Sequence, residues 1–447
     1  MIRTGSLRRV VSGALVFVVV STVVLGVLES RLGFTNTLTA MREMMVLNDG
    51  HDWRGKDSWE FMLRAYMQVH QHPGSDLYEV VFFTQHAKFQ YPPTSLLFLE
   101  PFVALQVHDY WHLNLFNHLV ILLASLGMAR LSVVMANELG LESLTADRRS
   151  RYALMTLGFV STWFFYPVIW TLTLGQIQAW ITCATIFACI AYSTGRSGWA
   201  GALMGLSALI KPQMALFFIW ALLRRDIRFA GAWLGAVVPA ALLAIWAYGF
   251  EQFTGYRRAL AYMGSRGEAY FGNTSINGIM NRLFHNGNDE VFFPDRFAAY
   301  QPTVHAVTVA AALVLIAIGL SWNWRSRTEH ALPSFLLANL CFTAASPIAW
   351  VHHYGALLPL FMMVFLMLLR RAQESGSPMI SKSLICLAVT YLVVANDNRI
   401  LNVAQWPVNP IQVCFLIAAG AAAWLLMRET RIEPRTQTRR WFSILRG

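Results

Sequence analysis

Acidic residues cluster in the first long polar stretch of the chain, within LNDGHDWRGKDSWEF, which contains Asp49, Asp52, Asp57 and Glu60. A carboxylate at the mouth of a membrane cavity can accept the proton of an attacking hydroxyl group, because partial desolvation raises its pKa toward a useful value. Acids are also ordinary in a solvated loop, where they carry no chemistry. The chemical interpretation predicts a general base in this stretch.

A histidine pair is the second candidate for chemistry. In SPIAWVHHY, His352 and His353 follow Trp350 at the start of an apolar run. A lone histidine is usually structural, but a pair on the same side as the acidic stretch can bind a substrate phosphate or polarise a hydroxyl group. No third ligand stands at metal spacing in the sequence, so we predict no metal.

A single lysine interrupts the apolar run ALIKPQMALFF, where Lys211 precedes the helix-breaking Pro212. A cation at that depth is costly unless it meets an anion or a wet cavity. A phosphate group is one such anion. The alternative is a lysine near a helix end whose ammonium group snorkels to the membrane surface.

The second polar stretch combines arginines with amides and hydroxyls. Arg266 precedes GNTSINGIMNRLF, which contains Asn273, Ser275 and Arg282. These residue types suit a polyhydroxylated, phosphorylated ligand. A helix N-cap on a wet surface explains the same residues without a ligand.

Two short motifs begin or join helices. Tyr91-Pro92-Pro93 stiffens the chain ahead of an apolar run, as proline does at a helix start. Gly175-Gln176 stands between two apolar runs, where a tight turn with a glycine cap is the simplest explanation. Glu100, inside an apolar run, is either functional or paired with a nearby arginine or lysine.

The elements that must position all these residues are membrane helices. Of 447 residues, 56% are hydrophobic and only 13% are charged, whereas a soluble domain carries about 25% charged residues. The net charge of +11 comes from basic residues in short loops between apolar runs, which is the positive-inside pattern rather than a nucleic-acid surface. Apolar segments lie at 9–31, 93–107, 112–136, 152–170, 177–193, 200–222, 229–249, 303–321, 332–346, 354–370, 383–396 and 409–427.

These segments predict a single all-α domain over residues 1–447, a transmembrane bundle of about twelve helices. We expect both termini in the cytoplasm, including the basic tail at 428–447, and we expect the polar stretches at 33–91 and 251–303 on the exoplasmic side. The basic loop near 147–151 violates strict alternation of sides. Two re-entrant segments would resolve this, one at 93–107 around Pro101 and one at 200–222 folding back at Lys211-Pro212.

Taken in chain order, the motifs resemble glycosyltransferase family 87, a group of integral membrane transferases within the GT-C superfamily. The resemblance rests on an acid in the first exoplasmic loop, followed by Tyr91-Pro92-Pro93, Gly175-Gln176, Lys211-Pro212, Asn273-Thr274-Ser275 and Ser346-Pro347-x-x-Trp350-x-His352-His353. Each motif is weak alone, but the ordered set covers nearly the whole chain. The loop acid that fits the family's pattern is Asp57, although Phe61 stands where a tyrosine is commoner.

The resemblance implies a polyprenyl-phosphate-sugar donor, most often of mannose, and transfer to a glycolipid or glycan hydroxyl on the exoplasmic face of a bacterial inner membrane, with inversion at the sugar carbon. It makes Asp57 the general base, with Asp49 and Asp52 as alternatives, and adds His352 and His353 as catalytic residues. We predict no cofactor. The remaining predicted contacts are Lys211, Arg282 and Arg266 to the donor phosphate, and Tyr91, Gln176, Asn273, Ser275 and Trp350 to the substrates.

Two other functions fit the same sequence. An arabinofuranosyltransferase of the same family would carry the same motifs. A transporter or flippase for lipid-linked or polar solutes would use similar broken helices and buried charge. The long exoplasmic stretches favour the enzyme over the transporter, because transporters usually place less polar mass there.

Overall fold

The fold is known from a computed structural model, which describes residues 4–45, 54–323, 331–376, 380–397 and 411–432. Within these ranges the chain is helical. Extended backbone segments pair only in an isolated antiparallel bridge between Asn273 and Trp350. The prediction of an all-α membrane bundle is confirmed.

Nineteen α-helices follow one another along the described chain. They are α1 (Thr4–Arg31), α2 (Thr37–Met44), α3 (Asp57–Gln71), α4 (Glu100–Ala104), α5 (Tyr110–Glu138), α6 (Glu142–Thr145), α7 (Arg148–Trp163), α8 (Tyr166–Leu174), α9 (Gln178–Ser193), α10 (Ser197–Ala208), α11 (Leu216–Leu223), α12 (Ile227–Tyr248), α13 (Glu251–Arg266), α14 (Ile276–Leu283), α15 (Pro302–Ser321), α16 (Ala331–Ala344), α17 (Leu357–Ser375), α18 (Lys382–Ala395) and α19 (Ile411–Ile432). Shorter helical turns are the π-helical Tyr78–Thr84 and the 3₁₀ turns Pro93–Phe98, Pro212–Ala215 and Val351–Ala356.

Each of the twelve predicted apolar segments contains a helix, but fewer are long enough to cross a membrane alone. Among the described residues, six helices qualify by length and composition: Ser6–Arg31, Tyr110–Glu138, Ile227–Tyr248, Pro302–Ser321, Val351–Ser375 and Val413–Arg431. Helices α7 and α8 would add a seventh span if they are taken together, bent by 46°. The other apolar helices have 10–17 residues, less than the roughly 20 that a straight span needs.

The predicted break at Lys211-Pro212 is confirmed. Helix α10 ends at Ala208, and Pro212 then begins a 3₁₀ turn that leads into α11. The break in the 93–107 segment falls at Leu99 rather than at Pro101, which lies in the first turn of α4. A further break, which the pattern did not predict, separates α7 from α8.

The helices differ in how much of their surface is covered by the rest of the protein, and the site lies next to the most buried one. Helix α17 is buried almost throughout by its neighbours, whereas α12 and α15 leave most of their apolar surface uncovered. The polar turn Val351–Ala356 leads directly into the buried α17 and packs against α8, α9 and α16. These contacts fix the position of the histidine turn relative to the Gly-Gln turn after α8.

Candidate active site

One cavity of about 790 Å³ brings together side chains from widely separated parts of the chain. Its wall includes most of the residues predicted from the sequence: Asp57, Tyr91, Gln176, Lys211, Trp350, His352 and His353. Three predicted stretches therefore meet at one place, namely the acidic loop, the Lys-Pro break and the histidine turn.

Asp57 is the first residue of α3, and its carboxylate is held from across the cavity. The Gln176 side-chain amide donates a hydrogen bond to Asp57 Oδ2 at 2.5 Å. The amide oxygen of the same Gln176 accepts a hydrogen bond from Ser58 Oγ at 2.8 Å and one from Tyr91 OH at 3.2 Å. Ser58 Oγ and Tyr91 OH lie 2.7 Å apart. We call these four residues the Asp57 network.

A close backbone approach brings Gln176 to the acid. Gly175 ends α8 in the left-handed conformation, with φ +72°, and a Cβ atom there would lie 2.3 Å from the carbonyl carbon of Gly55. The segment before α3 donates two backbone hydrogen bonds to the end of α8, from Gly55 N–H to Thr173 O at 3.0 Å and from Ser58 N–H to Gly175 O at 3.3 Å. Only glycine meets both requirements at position 175.

The pKa of Asp57 is set by opposing effects. Burial raises the pKa of the carboxyl group above its ordinary value, while the Gln176 hydrogen bond and the charges of Lys211 and Lys88 lower it again. Together these effects raise the pKa of Asp57 above its ordinary value. A raised pKa suits a carboxylate that must accept a proton.

Lys211 and the histidine pair form the cationic part of the cavity. Lys211 Nζ lies 3.1 Å from His353 Nε2 and 5.1 Å from the centre of the Tyr91 ring. The Trp350 backbone N–H donates to His353 Nδ1 at 3.3 Å, which fixes the ring. His352 Nε2 is buried and has no hydrogen-bond partner in the described part of the protein. A ligand in the cavity can supply that partner.

Asn273 and Ser275 lie behind the cavity wall rather than in it. The Asn273 amide donates to Glu268 O at 2.9 Å and to Pro347 O at 3.1 Å, and its oxygen accepts from Ala349 N–H at 3.0 Å. Ser275 Oγ donates to Pro347 O at 2.9 Å and caps α14. These residues, with Thr274, hold the segment that carries Trp350 and the histidines. We call them the Asn273 brace.

The two predicted phosphate-binding arginines also lie outside the described cavity wall. Arg282 is buried and donates to Asn273 O at 3.0 Å and to Tyr270 O at 3.3 Å, and burial lowers its pKa to about 10. The Arg266 guanidinium lies 3.8 Å from the centre of the Tyr262 ring. Of the three basic residues predicted to contact the donor phosphate, only Lys211 lines the cavity among the described residues.

The other acids of the sequence have different positions. Asp49 and Asp52, the alternatives to Asp57, lie outside the described residues. Glu100 is not paired with a lysine or arginine in the described part of the chain; it accepts hydrogen bonds from Tyr66 at 2.8 Å and from Tyr248 at 2.7 Å, outside the cavity wall.

Two features of the cavity were missed by sequence reasoning. Lys88 lines the wall and forms a buried ion pair with Glu268, and it also donates to Phe293 O at 2.7 Å. Asp397 lines another part of the wall. The sequence offered only weak signals for them. Lys88 stands shortly before Tyr91-Pro92-Pro93, and Asp397 follows an apolar run, but the sequence does not show which residues they contact.

Comparisons with known proteins identify the family. The model of glycosyltransferase family 87 matches residues 89–347, more than half of the chain. The chain belongs to glycosyltransferase family 87. It is therefore a multi-pass membrane glycosyltransferase, which decides against the transporter. None of the solved structures matches it.

Two mannosyltransferases of mycobacteria are similar to this chain. One is the polyprenol-phosphate-mannose-dependent alpha-(1-2)-phosphatidylinositol mannoside mannosyltransferase of Mycobacterium tuberculosis, 24% identical over 327 residues, which are 71% of each chain. The other is the polyprenol-phosphate-mannose-dependent alpha-(1-2)-phosphatidylinositol pentamannoside mannosyltransferase of Mycolicibacterium smegmatis, 27% identical over 300 residues, which are 65% of each chain. The family-87 chain described here thus shares about two thirds of its length with these enzymes.

Proposed function

We propose that this family-87 protein transfers a mannose residue from a polyprenyl-phosphate carrier to a hydroxyl group of a glycolipid or glycan, on the exoplasmic face of a bacterial inner membrane. The observation that carries the proposal is the meeting of Asp57, held by Gln176, with Lys211 and His353 in one cavity. A carboxylate base and a cationic phosphate site are the two parts that such a transfer requires. The names of the mycobacterial relatives support the donor and the sugar.

The base is Asp57. Its carboxylate accepts the proton of the acceptor hydroxyl while the hydroxyl oxygen attacks the anomeric carbon. Gln176 holds one carboxylate oxygen in place, so the group does not have to be ordered during the reaction. The raised pKa of Asp57 makes the carboxylate a better proton acceptor than an ordinary exposed aspartate.

The leaving group is the polyprenyl phosphate. As the bond between the anomeric carbon and the phosphate oxygen breaks, the electron pair stays on that oxygen. Lys211 is placed to neutralise the added charge, and His352 Nε2, which has no partner among the described residues, can bind the same phosphate. The polyprenyl tail remains in the bilayer, where the exposed apolar faces of helices such as α12 and α15 accommodate it.

A single displacement with base and leaving group on opposite faces of the sugar inverts the anomeric carbon. Separate groups serve the two roles here, since Asp57 belongs to α3 and Lys211 to the break before α11. In a double displacement a carboxylate would attack the anomeric carbon itself, whereas Asp57 is proposed here as the base for the acceptor hydroxyl. We therefore propose an inverting reaction, with no metal among its requirements and with Lys211 and the histidines facing the phosphate.

The test is transfer by the purified full-length protein in proteoliposomes. Polyprenyl-phosphate-mannose with a radiolabelled sugar is the donor, and a phosphatidylinositol mannoside or octyl α-mannoside is the acceptor. We expect a labelled glycoside from the wild-type protein and a rate lowered at least about 10³-fold in Asp57→Asn. The Asn side chain keeps the size of the carboxylate, so the variant should fold normally.

Asp109→Asn is the matched control. Asp109 is exposed and caps α5 through the His112 backbone N–H, and asparagine caps equally well. Its activity should equal that of the wild type. Full activity of Asp57→Asn would place the base at Asp49, Asp52 or another acid, and label transfer only from a polyprenyl-phosphate-pentose would make the protein an arabinofuranosyltransferase.

A further inference from the structure

A second pocket, of about 570 Å³, lies where helices α5, α6 and α7 meet. Helix α5 connects it to the active-site cavity. Near the start of α5, the Asn114 amide donates to Gly55 O at 2.9 Å and the Asn117 amide donates to Gln176 O at 3.3 Å, whereas the last turns of α5 line the second pocket. The 29 residues of α5 span about 43 Å at roughly 1.5 Å per residue, more than the roughly 30 Å of a hydrocarbon core. The second pocket therefore lies near the membrane surface opposite the Asp57 cavity.

The wall of this pocket is formed by the antiparallel packing of α5 and α7. Ser132 Oγ donates to Leu154 O at 3.2 Å, and a Cβ atom at Gly158 would lie 2.6 Å from Met128 O. The first turns of α7 therefore lie beside the last turns of α5, and α6, which joins the two helices, closes the pocket from the end.

Two arginines from the two helices open onto the pocket. Arg130 of α5 and Arg151 of α7 both line it, and both side chains are exposed. By the register of the two helices, Arg151 lies about 8 Å closer to the end of α5 than Arg130 does. Arg130 thus lies deeper in the membrane, inside the apolar run of α5, where a cation is costly unless it meets an anion or water.

The charged side chains of the pocket have no partners of opposite charge. In the described part of the chain, neither Arg130 nor Arg151 forms an ion pair or a side-chain hydrogen bond, and the carboxylate of Glu142, which lines the pocket from α6, forms none either. Two guanidinium groups and one carboxylate therefore surround one space without neutralising one another. A ligand that carries both a phosphate and an ammonium group complements this arrangement.

We propose that the pocket binds the headgroup of an aminophospholipid, with its phosphate between Arg130 and Arg151 and its ammonium group at Glu142. Arginine suits the phosphate because its planar guanidinium group donates two parallel hydrogen bonds to phosphate oxygens. Basic pockets between membrane helices bind phospholipid headgroups in the same way. The site does not depend on the reaction proposed at Asp57.

The other lining residues favour a lipid over a soluble phosphate. Val133 and Met155 give the pocket an apolar part beside the two arginines, which can pack against the glycerol and the first methylene groups of the chains. The ring of Tyr152 is half exposed, as is typical of tyrosine at the membrane surface. The Arg148 guanidinium lies 5.5 Å from the centre of that ring and adds a cation beside the pocket.

Native mass spectrometry of the full-length protein in detergent tests the site. The protein is titrated with a phosphatidylethanolamine, a phosphatidylcholine and a phosphatidylglycerol of identical chains, and the affinity for the first bound lipid is measured. We expect the wild type to bind the ethanolamine lipid at least about fivefold more tightly than either other lipid, because choline has no N–H to donate to Glu142 and glycerol has no cation.

Variants locate the binding. The double variant Arg130→Gln with Arg151→Gln should bind the ethanolamine lipid at least about tenfold more weakly, and Glu142→Gln should bind the ethanolamine and choline lipids equally. Arg228→Gln is the matched control and should bind all three lipids as the wild type does. Arg228 is exposed and lies outside the pocket, at the same end of the bundle, because Ser193 Oγ donates to Glu138 at 3.1 Å and Ser197 Oγ donates to Asp226 at 3.0 Å.

Equal affinities of the wild type for the three lipids would overturn the proposal, and this comparison needs no variant. Wild-type affinity for the ethanolamine lipid in the double variant would overturn it too. A preference for the glycerol lipid would show that the pocket recognises negative charge alone, against the role given to Glu142. Glycerophosphoethanolamine, which has the headgroup without the chains, should not displace the bound lipid at equal concentration; displacement would make a soluble phosphate ester the ligand instead.

Discussion

The Asp57 network and the Asn273 brace are both built from polar residues, but their hydrogen bonds end on different groups. In the network, the bonds run from side chain to side chain and converge on a carboxylate that opens onto the cavity. In the brace, the side chains of Asn273 and Ser275 bond to backbone carbonyls of the segment before Trp350. The first arrangement leaves a reactive group exposed to a ligand, and the second only holds the chain.

From this difference we predict which residues act on substrate and which only position others. A backbone carbonyl has no chemistry to offer, so satisfying it stabilises the fold and nothing more. A carboxylate held by an amide on one oxygen keeps its other oxygen for a proton. We therefore expect substitutions in the network and around Lys211 to change rate constants, and substitutions in the brace to change stability.

After Asp57→Asn, the largest effect on rate is expected for Lys211→Met, with the fold retained. Methionine keeps much of the volume of lysine but offers no charge to the leaving phosphate, so kcat should fall about 10²–10³-fold. Single-turnover transfer from labelled polyprenyl-phosphate-mannose measures the loss, and Lys382→Met, which removes an exposed lysine, is the control. A kcat near that of the wild type would assign the leaving-group charge to another cation of the wall, with Lys88 first.

In the Asn273 brace, Asn273→Ala should lower stability and leave kcat nearly unchanged, the reverse of the effect of Lys211→Met. Removing the amide leaves the Glu268 carbonyl and the Ala349 N–H without this partner and leaves the Pro347 carbonyl with only the Ser275 hydroxyl, at a cost of about 2–5 kcal/mol. Thermal unfolding in detergent should show a lowered Tm, while kcat per folded molecule remains within about threefold of the wild type. A reduced kcat at an unchanged Tm would instead make Asn273 a substrate contact.

A smaller and more specific effect is expected on the pH profile of Gln176→Leu. The Gln176 hydrogen bond lowers the pKa of Asp57, and burial raises it, so removing the bond should raise the pKa further. The base works only when deprotonated, so activity falls as pH decreases, and the acidic limb of kcat/KM should move to higher pH in the variant. Rates measured across the pH range decide this; a limb that stays in place would mean that Asp57 is not the group that titrates.

The sequence predicted the helical class and the break at Lys211-Pro212, because each depends on local chemistry: apolar length and a proline that cannot continue a helix. The family resemblance, rather than local chemistry, grouped Asp57, Gln176, Lys211 and the histidines, which line one cavity in the structure. The sequence did not distinguish the role of Asn273 from that of Gln176, because it does not show whether a side-chain amide meets a backbone carbonyl or a carboxylate. It also missed Asp397, whose partner Tyr166 is remote in the chain and meets it only after the bend between α7 and α8.

The smallest effect is expected for Arg266→Gln, and it sharpens the assignment of the phosphate site. The Arg266 guanidinium packs over the Tyr262 ring and lies outside the described cavity wall, so its loss removes a cation–π contact of about 0.5–1 kcal/mol at a partly exposed position. The donor KM should stay within about twofold of the wild type, in contrast to Lys211→Met. A donor KM raised about tenfold or more, with an unchanged acceptor KM, would show that the carrier phosphate reaches beyond Lys211 toward α13. The phosphate site would then extend along the second polar stretch, 251–303, instead of ending at the helix break.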